Sequence, residues 1–190
     1  FVHVKDADVK LPHGERVENG LEFRNTFHFH PLFKADIFVP CGGRPSSVNI
    51  NNWTEWLDDK GQPRFKVIVE GANLFITQQA RLRLEEKGVI LYKDASANKG
   101  GVTSSSLEVL AGLALADAEF DQLMCVREAG ITPFRRDYIG EIVEFIKDNA
   151  DKEFELIWRE NKAAGTPRAV VEKAVAHATR YPIIQGPMTR

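Results

Sequence analysis

Three short apolar runs organise the middle of the chain: Ala35-Asp36-Ile37-Phe38-Val39, Lys66-Val67-Ile68-Val69 and Gly88-Val89-Ile90-Leu91-Tyr92. They are continuous and rich in β-branched residues rather than alternating, which is how strands covered on both faces read. Helical stretches separate them, at 46–57 and at 77–87, the second with Thr77 as N-cap and Gly88 just past its end. Strand, helix, strand, helix, strand predicts a parallel sheet with right-handed crossovers. Parallel strands point one way, so the segments that follow them meet on one rim. In open α/β sheets that rim is where ligands bind.

The flanks read differently. Residues 1–23 alternate in the manner of a β-hairpin or an inserted flap. Val2, Val4, Val9 and Leu11 run out, Pro12-His13-Gly14 turns, and Val17, Leu21 and Phe23 return. After the third run the pattern is helical. Residues 104–120 are apolar on most sides, which predicts a buried helix. Residues 138–162 form a long amphipathic helix that stops at Ala163-Ala164-Gly165. Thr166-Pro167 opens a last one, with Val170, Val171, Ala174, Val175 and Ala178 as its stripe. The division expected is an α/β part over 1–120 and a helical segment over 121–190.

Composition narrows the classes. Of 190 residues, 43% are hydrophobic and 27% charged, which excludes long disorder. The net charge of −2 leaves no basic footprint for nucleic acid or an anionic membrane. No run approaches the ~18 apolar residues of a membrane helix, and residues 1–10 lack the apolar centre of a signal peptide. Cys41 and Cys125 do not amount to a disulfide framework, which suits a reducing compartment. The chain begins with Phe, which reads as a piece of a longer polypeptide.

Three rim segments carry candidate chemistry. In Asn98-Lys99-Gly100-Gly101-Val102-Thr103-Ser104-Ser105-Ser106-Leu107-Glu108, two glycines open onto a helix start whose free N–H groups favour an anion. Its plainer reading is a capping box of Ser105 with Glu108. In Glu70-Gly71-Ala72-Asn73 an amide follows a strand end, fit for a sugar or a carboxamide, or simply for a turn. In Pro40-Cys41-Gly42-Gly43 small residues leave room for a flat ring, and Cys41 reads as packing rather than nucleophile. His28 and His30 share a face if extended, but no further ligands are spaced for zinc, so no metal is expected. Trp53 and Trp56 read as packing, and Arg81-Leu82-Arg83 as a solvated helix face balanced by Glu85 and Glu86. There is no GxGxxG.

In these segments the chain resembles the nucleotide-binding domain of the glutamate/leucine/phenylalanine/valine dehydrogenase superfamily, and within it the large NAD-specific class found in fungi. Phe23-Arg24-Asn25-Thr26-Phe27-His28 adds to the likeness, as does Ile157-Trp158-Arg159-Glu160 on the long helix. The pair Val69-Glu70-Gly71-Ala72-Asn73 and Asn98-x-Gly100-Gly101-Val102, after successive strands, is its specific part. Lys99 stands where smaller members carry a small residue.

The resemblance implies a Rossmann-like sheet forming part of a dinucleotide-binding domain, followed by C-terminal helices. It implies NAD as cofactor, held by Cys41, Gly42, Asn73 and Asn98, and L-glutamate contacted by Val102 and Ser105. The reaction implied yields 2-oxoglutarate and ammonia, in a homo-oligomer, cytoplasmic or mitochondrial. The lysine and aspartate of the family mechanism, and its phosphate-binding glycines, are expected upstream of Phe1. The piece alone is therefore expected to be inactive. The same chemistry on another amino acid, and a non-catalytic assembly module, are the alternative readings.

Overall fold

The computed structural model describes residues 2–42, 44–128 and 130–178. A hairpin comes first. β1 (Ala7–Lys10) and β2 (Arg16–Asn19) pair antiparallel with Val9 opposite Val17. The turn between them closes through the Gly14 N–H on the Leu11 carbonyl, 2.9 Å. Val2 and Val4 precede β1 outside any strand, Val4 in a turn.

The returning strand is shorter than its apolar pattern suggests. Leu21 and Phe23 lie instead on helix α1 (Gly20–Thr26), because the Asn19 side chain accepts the Glu22 N–H and caps a helix there. Gly20 also passes so close to the His3 carbonyl that a Cβ would sit 2.1 Å from its oxygen.

The three apolar runs form one parallel sheet in the order β3 (Ile37–Phe38), β4 (Val67–Val69), β5 (Ile90–Tyr92), with Ile37 beside Val67 and Val67 beside Ile90. Both faces are covered over β4 and β5, as continuous apolar runs require, while Ile37 of β3 is exposed. One face meets the main core of Phe38, Val48, Trp56, Phe65, Ile68, Phe75, Leu84 and Leu91. The other meets a smaller cluster in which Tyr92 packs with Ile157 and Val171, over Val69 and Ile90.

The crossovers differ from each other. The second is helix α2 (Gln78–Glu86), capped by Thr77 and followed by Gly88 at φ +90°, as its sequence indicates. The first is not the helix expected over 46–57. Only Trp53–Trp56 winds, as a single 3-10 turn. The asparagines are the cause. Asn52 Oδ1 takes the Asn49 N–H (2.7 Å), Asn49 Oδ1 takes the Asn51 N–H (2.9 Å), and Asn52 Nδ2 donates to Ser47 O (2.9 Å). Such local bonds compete with a helix ladder. Trp56 still packs as expected: it is fully buried, with Nε1 donating to His28 O at 2.9 Å.

Beyond β5 come α3 (Asp94–Ala97), α4 (Lys99–Ala114), α5 (Asp117–Leu123), α6 (Pro133–Ala164) and α7 (Arg168–Ala178). The single helix expected over 104–120 is thus two, broken where Leu115 turns extended and Glu119 caps α5 on the Ala116 N–H. Nor is it buried. Val102, Val109, Leu110 and Leu113 on α4 are 70%, 62%, 57% and 79% exposed, and among the described residues α5 and α6 flank only part of it.

Helix α6 begins at Pro133 behind a Thr132 cap and ends at Gly165, with φ +66°. On α7, Val171 is buried and Val175 half-buried, while Val170 and Ala174 of the expected stripe face outward. The side chain of Ala178 lies outside the described residues. Glu85 of α2 takes the Arg168 and Ala169 N–H groups at 2.7 and 3.1 Å, so α7 is capped from across the sheet.

Candidate functional site

The segments after β3, β4 and β5 meet at one rim. The Ala72 N–H donates to Pro40 O (2.6 Å) and the Glu70 N–H to Tyr92 O (2.8 Å), tying the middle segment to both neighbours. Gly71 makes the first of these contacts close. A Cβ there would stand 3.2 Å from Pro40 O and 3.3 Å from Cys41 Sγ. Cys41 and Gly42 themselves are exposed, and Cys41 is a free thiol.

Beneath the rim lies an ionic knot. Arg81 Nε donates to Glu70 Oε2 at 2.6 Å and Arg81 Nη2 to Glu70 Oε1 at 3.1 Å. The same guanidinium sits 3.2 Å from Asp94 Oδ1. Glu70, Arg81 and Asp94 are all buried, so Arg81 is no solvated face. Burial pushes the Glu70 carboxyl up from its ordinary pKa, against the pull of Arg81.

The remaining carboxylate valences hold backbone. Glu70 Oε1 accepts the Ile76 N–H at 3.0 Å and Asp94 Oδ2 the Leu74 N–H at 2.7 Å. Leu74 is in the left-handed region, φ +57°, directly after Asn73. The knot therefore fixes the turn that presents Asn73. Ala80, Arg81 and Leu84 share the inward face of α2, and nothing local in the sequence marks the charged one as turned inward.

Two amides are not used by the fold. Asn73 is exposed and Asn98 half-buried, and neither side chain has a partner among the described residues. Asn98 occupies the N-cap of α4 without spending its side chain as a cap. Val102 and Ser105 follow on α4, three residues apart and both exposed, hence on one side of the helix.

The capping box does not form, because α4 starts at Lys99, six residues before Ser105. Ser104 and Ser105 each donate to Gly101 O, and Ser106 to Val102 O, at 2.9 Å. Glu108 lies 3.6 Å from Arg135 instead. The three hydroxyls are second-turn groups bonded back to the helix, not free donors at its end.

The family model described as Glutamate/Leucine/Phenylalanine/Valine dehydrogenase matches residues 3–165. The chain belongs to this family. It is 56% identical over 93% of its length to "Glutamate dehydrogenase 2" of Dictyostelium discoideum. It is 57% identical over 85% to the "Probable NAD-specific glutamate dehydrogenase" of Schizosaccharomyces pombe, and 51% over 87% to the "NAD-specific glutamate dehydrogenase" of Saccharomyces cerevisiae. The chain spans 17%, 15% and 16% of those relatives' lengths.

Beside the rim is a cavity of about 350 Å³, lined by Arg24, His28, Phe38, Cys41, Arg44 and Phe75 among others. His28 and His30 do not converge there. The chain winds a 3-10 turn between them, and His30 Nε2 binds Glu15 at 2.9 Å. His28 Nε2 is buried without a hydrogen-bond partner, and burial lowers its pKa to about 4, so the ring is neutral. Among the described residues no group of three or more His, Cys, Asp or Glu could hold a metal, and no helix is long and apolar enough to cross a membrane.

Proposed function

We propose that the chain is part of the cofactor-binding domain, over 1–120, and the bracing helices, over 121–190, of an NAD-dependent dehydrogenase. The reaction is the oxidative deamination of L-glutamate to 2-oxoglutarate and ammonia. One observation carries the reading. The turns after β4 and β5 are locked from below by Glu70, Arg81 and Asp94, and among the described residues they present two amides, Asn73 and Asn98, with no partner of their own. A polar ring and its ribose need fixed hydrogen-bonding groups of that kind on a rigid edge.

The residues at the rim fit the group. Asn73 takes the ribose next to the nicotinamide and Asn98 the carboxamide of the ring. Cys41 and Gly42 give room on the adenosine side. Bound NAD supplies the hydride acceptor. Val102 packs against the substrate, and Ser105 turns its hydroxyl from Gly101 O to the side-chain carboxylate of glutamate. The names of the fungal relatives support the cofactor and the amino acid. The enzyme we infer is a cytoplasmic homo-oligomer.

The test is NADH absorbance on the complete polypeptide with NAD and, in turn, glutamate, leucine and phenylalanine. Absorbance at 340 nm rising with glutamate alone is the expected result. A folded complete protein that produces no NADH with any of them overturns the proposal.

A further inference from the structure

One carboxylate of the long helix is turned toward the rim. Glu153 Oε1 accepts from Ser96 Oγ at 2.9 Å and from Lys99 Nζ at 2.6 Å, 57 and 54 residues away in sequence. Its side chain is only 14% exposed. Three other ion pairs of α6 stay within the helix and in solvent, Lys147 with Glu144, Lys152 with Asp148 and Arg159 with Glu155, while Arg135 reaches the exposed Glu108 of α4 at 3.6 Å. Pairs of that sort contribute little. Glu153 instead joins two elements, and its two partners stand on either side of Asn98.

The surroundings fix the carboxylate where it is. Ile157, one turn further on the same face, is fully buried, and Ile146, two turns earlier, packs on Gly100, where a Cβ would lie 3.4 Å from it. The start of α4 needs such a group. Lys99 places a positive charge on the helix's positive end, its first turn has no acidic residue, and Asn98 gives it no side-chain cap. Glu153 answers the charge from outside. The Asn98 amide is not spent on capping, and the side chains of Ser96 and Lys99 on either side of it are held by one carboxylate. From the other side, Glu172 of α7 holds the Lys93 N–H at 2.8 Å.

We propose that Glu153, through Ser96 and Lys99, is the positioning residue that sets Asn98 for the nicotinamide. This rests on the cofactor reading above, and the experiment separates the two. In the complete enzyme, Asn98→Ala, Glu153→Gln, Glu153→Asp and the exchange Lys99→Glu/Glu153→Lys are compared by KM for NAD, KM for glutamate, kcat and Tm. Asn98→Ala raises the KM for NAD. If it leaves both KM values and kcat unchanged, the cofactor reading fails.

With that effect in hand, Glu153→Gln is expected to lower kcat/KM for NAD roughly tenfold, as for a misplaced contact, with KM for glutamate unchanged. Glu153→Asp and the charge exchange recover at least half of the loss. On the Asn98→Ala background Glu153→Gln has no further effect, because the two act through one contact. A Glu153→Gln enzyme with unaltered NAD kinetics overturns the proposal. So does a loss that lowers Tm, falls equally on glutamate and adds in full to that of Asn98→Ala.

Discussion

The two outer segments of the rim are held in opposite ways. The one after β5 is gripped by side chains from three helices: Arg81 on Asp94, Glu172 on the Lys93 N–H, and Glu153 on Ser96 and Lys99. The one after β3 has the Ala72 N–H on Pro40 O, and among the described residues no side chain bonds to it between Phe38 and Gly42. Among the described residues β3 and β5 are both edge strands of the sheet, but α7 packs on β5 and no helix packs so on β3. Ile37 and Val39 are 59% and 50% exposed, though they belong to an apolar run of the kind that is covered on both faces. The lesson is one of division. The half of the rim assigned to the ring that reacts is over-determined, and the half assigned to the adenosine side is bounded by backbone and left adaptable.

The largest effect expected is at the centre of the knot. Arg81→Met leaves Glu70 and Asp94 buried without their cation, which costs about 3–5 kcal/mol. Urea unfolding reads this directly. A cost below about 1 kcal/mol would mean that the gripped side is not held by the knot at all, and the contrast between the two segments would collapse.

Glu172 gives a second, pH-dependent way in. Burial raises its pKa from 4.5 to about 8, against the Lys93 N–H that favours the charged form. A carboxyl whose folded pKa lies above its unfolded one stabilises the fold fully below the unfolded value. That contribution is lost as pH rises to the folded value. Stability is therefore expected to decline from about pH 4.5 to about pH 8 on account of this group. Glu172→Gln, which cannot ionise, removes that decline and gains on the parent as pH rises. Tm measured at intervals across the range checks it, and parallel curves for the two proteins would show that Glu172 is not the origin.

On the substrate side, Ser105→Ala in the complete enzyme is expected to cost about 1–3 kcal/mol of transition-state binding, the loss of a hydrogen bond to a charged group. Steady-state kinetics with glutamate decide it. An unchanged kcat/KM would return Ser105 to what it does now, bonding Gly101 O within its own helix.

What the sequence could disclose follows from how far apart the interacting groups lie. The strands were legible, since continuous β-branched runs have one common explanation. So were the places of Asn73 and Asn98, in the turn that follows β4 and at the start of α4; their roles belong to the proposal above. The 46–57 segment misleads because its spacing is helical while Asn49 and Asn52 satisfy their own backbone. Apolar α4 reads as buried because a pattern reports the need for cover, not its source, and the described residues cover only part of it. Arg81, Glu153 and Glu172 were invisible for another reason. Their partners lie 11 to 79 residues away, and nothing local marks a charged residue as turned inward.

The smallest expected effect belongs to the loose segment, and it separates room from chemistry. Cys41 is exposed, and Gly71 lies close beneath it because its missing Cβ would meet Pro40 O and Cys41 Sγ. If Cys41 serves the adenosine side by being small, Cys41→Ala changes stability by less than about 0.5 kcal/mol and leaves KM for NAD as it was. Cys41→Leu, by contrast, fills the space and raises KM for NAD with kcat unchanged, as the removal of uniform binding does. A Cys41→Ala enzyme that loses kcat would place the thiol in the chemistry. The half of the rim described as adaptable would then be tied to one task as firmly as the gripped half is.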